Sequence, residues 1–154
     1  MNLNGGKNKM NIKITVAIIM LLVIACQKQD TSSNDVSSLK PEQVVNLYFQ
    51  SWNNKNYDAM YSLISDGFKQ IEPTAKTFDD FKSNMEKFYD TANGIKVIEA
   101  KEAYNNGKEA GIDYKIKISN KDGTEKDFNS AYTLKKRANG WKMIHPYGKN
   151  IDTN

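Results

Sequence analysis

One cysteine, one histidine and three prolines are spread over 154 residues, and each scarcity closes off a class of answer. Cys26 has no second cysteine to bridge, so the folded part must be held by its core alone. His145 stands without the clustered ligands that a metal needs, and no cofactor is implied. Glycine-rich phosphate loops, nucleophile elbows and paired-carboxylate motifs are all missing, leaving no catalytic residue to name. The main apolar run, Ile14 to Ala25 with Thr15 inside it, falls short of the roughly 20 residues that a membrane-spanning helix requires. Aromatic residues are absent before Tyr48, which is the first of 16.

What stands at the N-terminus is an address. Lysines 7, 9 and 13 precede the apolar run, the charge and length order of a secretory signal peptide over residues 1–25. Val23-Ile24-Ala25-Cys26 resembles the bacterial lipobox. That resemblance implies cleavage before Cys26, alkylation of its thiol by diacylglycerol, and acylation of the new amino terminus by a fatty acid such as palmitate. The chain would then be lipid-anchored on the outer side of a cell membrane or in an outer membrane. Translation starting at Met10 instead of Met1 would leave a compact signal of this kind. Residues 26–38 then comprise the lipidated cysteine and a polar tether, whose composition cannot support a core. Such a coil reaches roughly 20 Å.

The folded domain is expected over 39–150, with 151–154 a disordered tail. Its first segment contains Asn46-Leu47-Tyr48-Phe49-Gln50-Ser51, which looks like part of a protease-cleavage tag. The helical period argues otherwise. Pro41 suits a first helical turn, Leu39 and Val44 suit a hydrophobic staple, and Val44, Val45, Tyr48, Phe49 and Trp52 share one face. A second helix is expected from Tyr57 through Ile64, stopped by a left-handed Gly67. A short strand is expected in 69–76. A third helix, capped by Thr77, would bury Phe78, Phe81, Met85 and Phe88 and end near Gly94. From Ile95 the period falls to two. Strands are expected at 95–104, 109–119, 125–136 and 140–147, joined by turns at Asn106-Gly107, Asp122-Gly123 and Asn139-Gly140. The sum is an α+β domain, three N-terminal helices packed in a curved antiparallel sheet of four to five strands.

The helix pair "VVNLYFQSWNNKNYDAMYSLISDGF" and the closing "GWKMIHPYG" resemble the nuclear transport factor 2-like superfamily, also called the ketosteroid isomerase-like or cystatin-like cone fold. They resemble in particular its small bacterial lipoproteins of unassigned function. The resemblance implies a conical pocket between helices and sheet. Enzymes of that superfamily place an Asp or His base there, opposite a Tyr or Asp that stabilises an oxyanion.

No strand acid lies cleanly on an apolar face: Asp113 and Asp127 alternate with the polar positions, Glu125 sits beside a turn, and the phase at Glu99 and Glu102 is ambiguous. His145 shares a face with Trp141, Met143 and Tyr147. Tyr48, Trp52, Tyr61, Tyr114, Tyr132 and His145 are therefore the candidate ligand-binding residues, suited to a small apolar ligand. Residues 27–94 carry 7 basic and 10 acidic side chains, and residues 95–154 carry 12 and 8. Lys115, Lys117, Lys135 and Lys142 would form a basic face if all point outward. An exported chain is not expected to meet nucleic acid; its membrane, through the anchor, and envelope proteins are the expected partners. The favoured reading is a non-catalytic, membrane-anchored binding or interaction module. An isomerase- or dehydratase-like enzyme using the cone pocket, and an accessory domain for an envelope enzyme, are the alternatives. Nothing in the sequence fixes an oligomeric state.

Cys26→Ser should abolish lipid attachment and leave an unprocessed precursor, read by labelling cells with a fatty-acid probe. Equal labelling of the variant and the parent would refute the lipobox reading.

Overall fold

The computed structural model describes residues 36–148 and residue 152. The readings of the signal peptide, Cys26, most of the tether and the Met1 or Met10 start lie outside the described residues. Helix α1 spans Pro41–Asn53, with Pro41 in its first turn and Gln43 Oε1 accepting from the Lys40 N–H at 2.8 Å. Val44, Val45, Tyr48 and Phe49 are buried on one face, Ser51 joins them, and Trp52 is half-buried. The tag-like residues therefore belong to a core helix.

The second helix ends at Leu63, one residue before the expected Ile64, and a further helix follows where the stop was expected. Helix α2 covers Tyr57–Leu63 and α3 covers Asp66–Ile71. Between them Ile64 is extended and forms a parallel bridge with Met143, while the Ser65 N–H donates to the Met143 carbonyl at 2.9 Å. Pairing with a distant strand has overridden the local helical preference. Ser65 then restarts the helix, its Oγ accepting from the Phe68 N–H at 3.0 Å. Gly67 is not the helix stop that was expected, since it lies inside α3. A Cβ there would sit 2.7 Å from the carboxyl carbon of Asp152, so glycine serves close approach.

In place of a short strand, Pro73–Ala75 forms a 3-10 turn capped by the Glu72 side chain. Helix α4 spans Phe78–Glu86, with Thr77 Oγ1 accepting from the Asp80 N–H at 3.1 Å. Phe81 is its fully buried residue, and Phe78, Met85 and Phe88 pack partly buried against the same core. A 3-10 turn at Lys87–Asp90 follows, and Gly94 falls inside a strand instead of ending the helix.

Strands β1 (Ala92–Asn105), β2 (Glu109–Asn120), β3 (Glu125–Arg137) and β4 (Gly140–Met143) form an antiparallel sheet in the order β1-β2-β3-β4. Ala110, Ile112, Tyr114 and Ile116 are buried along one face of β2, with Ile118 half-buried beyond them, as the alternation predicts. Register shifts leave Asn93, Ile98 and Ala103 unpaired in β1, and such bulges bend a strand and sharpen its twist. The fourth strand is shorter than expected, ending at Met143, with His145 and Pro146 beyond it. Asn53 ties α1 to the sheet by accepting from the Ile95 N–H at 2.7 Å and donating to the Ile95 carbonyl. Asp152 accepts from Ser65 Oγ and pairs with Arg137 at 2.6 Å.

Phe49 is central to this core, so Phe49→Ala should cost about 3–5 kcal/mol. Urea unfolding of variant and parent would measure it, and a loss below about 1 kcal/mol would place Phe49 outside the core.

Candidate functional site

Four of the six candidate residues come together. Tyr48 and Phe49 of α1 meet Tyr132 of β3 and Tyr114 of β2, and Trp52, one turn on, joins the layer through its contacts with Tyr48 and Phe49. The Tyr114 and Tyr132 rings stack at 4.9 Å with 14° between their planes, Phe49 lies 5.1 Å from Tyr114, and Tyr48 lies 6.2 Å from Tyr132. Phe128 continues the layer outward, 6.3 Å from Tyr114 and 45% exposed. Tyr48 Oη points to the Met85 sulfur at 3.9 Å, and Trp52 Nε1 donates to the Met85 carbonyl at 3.4 Å. Burial pushes the Tyr48 phenol well above its ordinary value, and repulsion from Tyr114 adds to this. Burial does the same for Tyr132, helped by Tyr48 and Tyr114.

Tyr61 and His145 lie apart from this layer. Tyr61 packs on Phe81 at 5.3 Å and Phe78 at 5.7 Å, and donates to the Ala75 carbonyl at 3.2 Å. His145 is buried edge-on to Phe68 at 5.1 Å, with Nε2 3.4 Å from the Glu72 carboxylate. Its Nδ1 accepts from the Tyr147 N–H at 3.2 Å. Glu72 is held below the usual carboxylate range, first by its bonds from Thr74 and then by His145. None of these contacts reaches Tyr48, Trp52, Tyr114 or Tyr132. The Tyr147 ring is 5.4 Å from His145 but the residue is 86% exposed.

The acids weighed on the strands do not form a base in an apolar pocket. Asp127 pairs with Lys115 at 3.1 Å and Glu125 with Lys117 at 2.8 Å. Glu102 registers opposite Ile112 but is exposed. Nor are the four lysines a uniform basic face, because Lys115 and Lys117 are paired, Lys135 donates to the Asp152 carbonyl, and Lys142 is buried. No group of three or more potential metal ligands occurs among the described residues. No helix among them is long and apolar enough to cross a membrane.

Among the described residues, open concavities include two on the sheet and beside it. One, about 470 Å³, lies on the sheet beside Glu99, Lys101, Asp113 and Lys115, where charges of opposite sign balance. The other, about 500 Å³, lies between the α2–α3 junction and the β3–β4 turn. Sequence reasoning missed this second groove, since it joins residues near 65 to residues near 140.

Helices on one face of a bent antiparallel sheet define a cystatin-like cone fold. A SEC-C motif-containing protein from Rhodopseudomonas palustris shares it at 13% identity and TM-score 0.53, covering 71% of this chain and 78% of that one. A protein of unknown function with a cystatin-like fold from Nostoc punctiforme matches at 10% identity and TM-score 0.50, covering 70% of this chain and 90% of that one. Comparison with curated proteins gives no match. A family model does match, over residues 40–146: the chain belongs to the NTF2-like N-terminal transpeptidase domain family.

The buried phenols predict an alkaline limit to stability. A tyrosine whose folded pKa is raised keeps its full contribution below about pH 10 and loses it as pH rises toward the folded value. Ultraviolet titration should show the Tyr48 and Tyr132 phenols ionising only with unfolding. Complete reversible ionisation of every tyrosine near pH 10 in the folded chain would contradict it.

Proposed function

We propose that this chain is a non-catalytic, extracytoplasmic interaction module, tethered through lipid on Cys26, that serves as an accessory domain to an envelope enzyme of the transpeptidase class. Family membership supports the accessory role, since the family is described as the N-terminal domain of transpeptidases. Rings from α1, β2 and β3 fill the space between helix and sheet, which favours outward recognition over catalysis in a cone. His145, the base that an isomerase-like reading would need, makes its contacts with Glu72 and Phe68 instead.

The observation that carries the proposal is apolar surface left on the sheet. Ile98, Tyr104 and Phe128 are each between 43% and 46% exposed. Strand β4 pairs only with Leu134 to Arg137, so the earlier part of β3, including Phe128, has no outer partner strand among the described residues. Exposed apolar groups beside an open strand edge suit a protein partner.

A photo-crosslinking residue in place of Phe128 should, in cells, yield an adduct that also reacts with a fluorescent β-lactam, the covalent label of many transpeptidases. The same residue at exposed Asp58 on α2 should not. An adduct without β-lactam label, or equal adducts from both positions, would overturn the transpeptidase assignment.

A further inference from the structure

Among the described residues, Lys142 is an anomalous cation. Lys69 meets Asp66 at 3.1 Å, Lys115 meets Asp127, Lys117 meets Glu125, and Arg137 meets Asp152. Lys142 is only 8% exposed, and its Nζ donates to the Ser62 carbonyl at 2.6 Å. No carboxylate among the described residues lies within ion-pair distance of it. An ammonium has three N–H donors, and one carbonyl answers one of them. A buried charge left in this state is costly unless an opposite charge arrives. Burial accordingly pulls the Lys142 pKa down, Lys69 adds to this, and Asp66 opposes it.

Lys142 lines the groove of about 500 Å³, together with Ser65, Asp66, Lys69, Arg137 and Asn139. The charges facing it are three cations and one carboxylate. That carboxylate, Asp66, is already bonded to Lys69 and its side chain is 90% exposed. Asp152, the next acid, is held by Arg137 and Ser65.

We propose that this groove binds a phosphate-class oxyanion, with Lys142 Nζ as the central contact and Lys69 and Asn139 at its rim. The donor chemistry selects phosphate over carboxylate. A planar carboxylate is best held by a guanidinium fork, and both terminal nitrogens of Arg137 are already engaged, Nη2 by Asp152 and Nη1 by the Lys136 carbonyl. What remains are ammonium point charges, which suit oxygens arranged tetrahedrally. The volume leaves room for an organic substituent beyond the phosphate. This site lies apart from the exposed sheet residues, and the inference does not depend on the partner proposed above.

The test uses the unlipidated full chain carrying Cys26→Ser, titrated with inorganic phosphate against chloride at constant ionic strength and followed by amide NMR. Saturable shifts centred on residues 62–69 and 137–142 are expected, with a Kd of roughly millimolar. Lys142→Met, which keeps the apolar stem, should weaken binding by at least about tenfold, whereas Lys115→Met should not. A second arm uses vesicles with and without phosphatidylglycerol: Lys142-dependent binding to the anionic vesicles alone assigns the phosphate to a lipid headgroup, and binding of inorganic phosphate assigns a soluble one. Non-saturating shifts with no Lys142-dependent vesicle binding, or unchanged affinity in Lys142→Met, would overturn the proposal. Should Lys142→Met fail to fold, the parent's shift map decides, and saturable shifts centred elsewhere would overturn it equally.

Discussion

The fold depends on α1 lying across the inner face of the sheet, with Phe49 set against Tyr114. Phe49 is fully buried, and its ring meets Tyr48, Trp52, Tyr114 and Tyr132 within 6.5 Å. Burial of each large side chain contributes about 1.5–3 kcal/mol, and aromatic pairs add about 0.5–1.5 kcal/mol where geometry is favourable. Neither partner can bury its apolar face alone. The helix supplies a stripe at helical spacing, the strands supply one at alternate residues, and Asn53 fixes their relation by bonding both backbone groups of Ile95.

A second constraint closes the other end of the sheet. Ile64 and Ser65 leave the helical path to pair with Met143, which gives the short β4 a partner on its second side. Asp152 is drawn onto the same junction by Ser65 and Arg137, and the missing side chain of Gly67 makes room for it. The groove at the α2–α3 junction is thus a by-product of strand pairing. The break that satisfies β4 also presents the Ser62 carbonyl to Lys142.

Electrostatics divide the molecule in a way that total charge does not convey. The outer face of β2 and β3 is a ladder of opposite charges, Lys115 with Asp127 and Lys117 with Glu125, each pair exposed and worth little in stability. Such pairing leaves little net field there to attract an anionic surface. Lys142, by contrast, is buried without a carboxylate partner among the described residues, while the exposed apolar residues lie elsewhere on the sheet. Two separate surfaces with different chemistry are what the proposed interaction role would draw on.

Elements whose signal is local were legible in the amino-acid order. Pro41 and the Val44, Val45, Tyr48, Phe49 stripe specify α1, Thr77 starts α4, and the alternation from Ala110 to Ile118 with glycines at 107 and 123 specifies the hairpins, because each depends on neighbours a few residues away. The meeting of Tyr48, Trp52, Tyr114 and Tyr132 could be anticipated from their shared inward phase. The rest was settled by packing between residues far apart in the chain. Nothing near Ile64 in sequence announces a break, since its cause is Met143. His145 follows Trp141 and Met143 in alternation, yet the strand ends before it and sets it against Glu72. Lys142 has the period of an outward residue, but β4 is covered on that side by the α2–α3 junction. Periodicity tells which side of a strand a residue faces; whether that side meets water depends on what packs there from far along the chain.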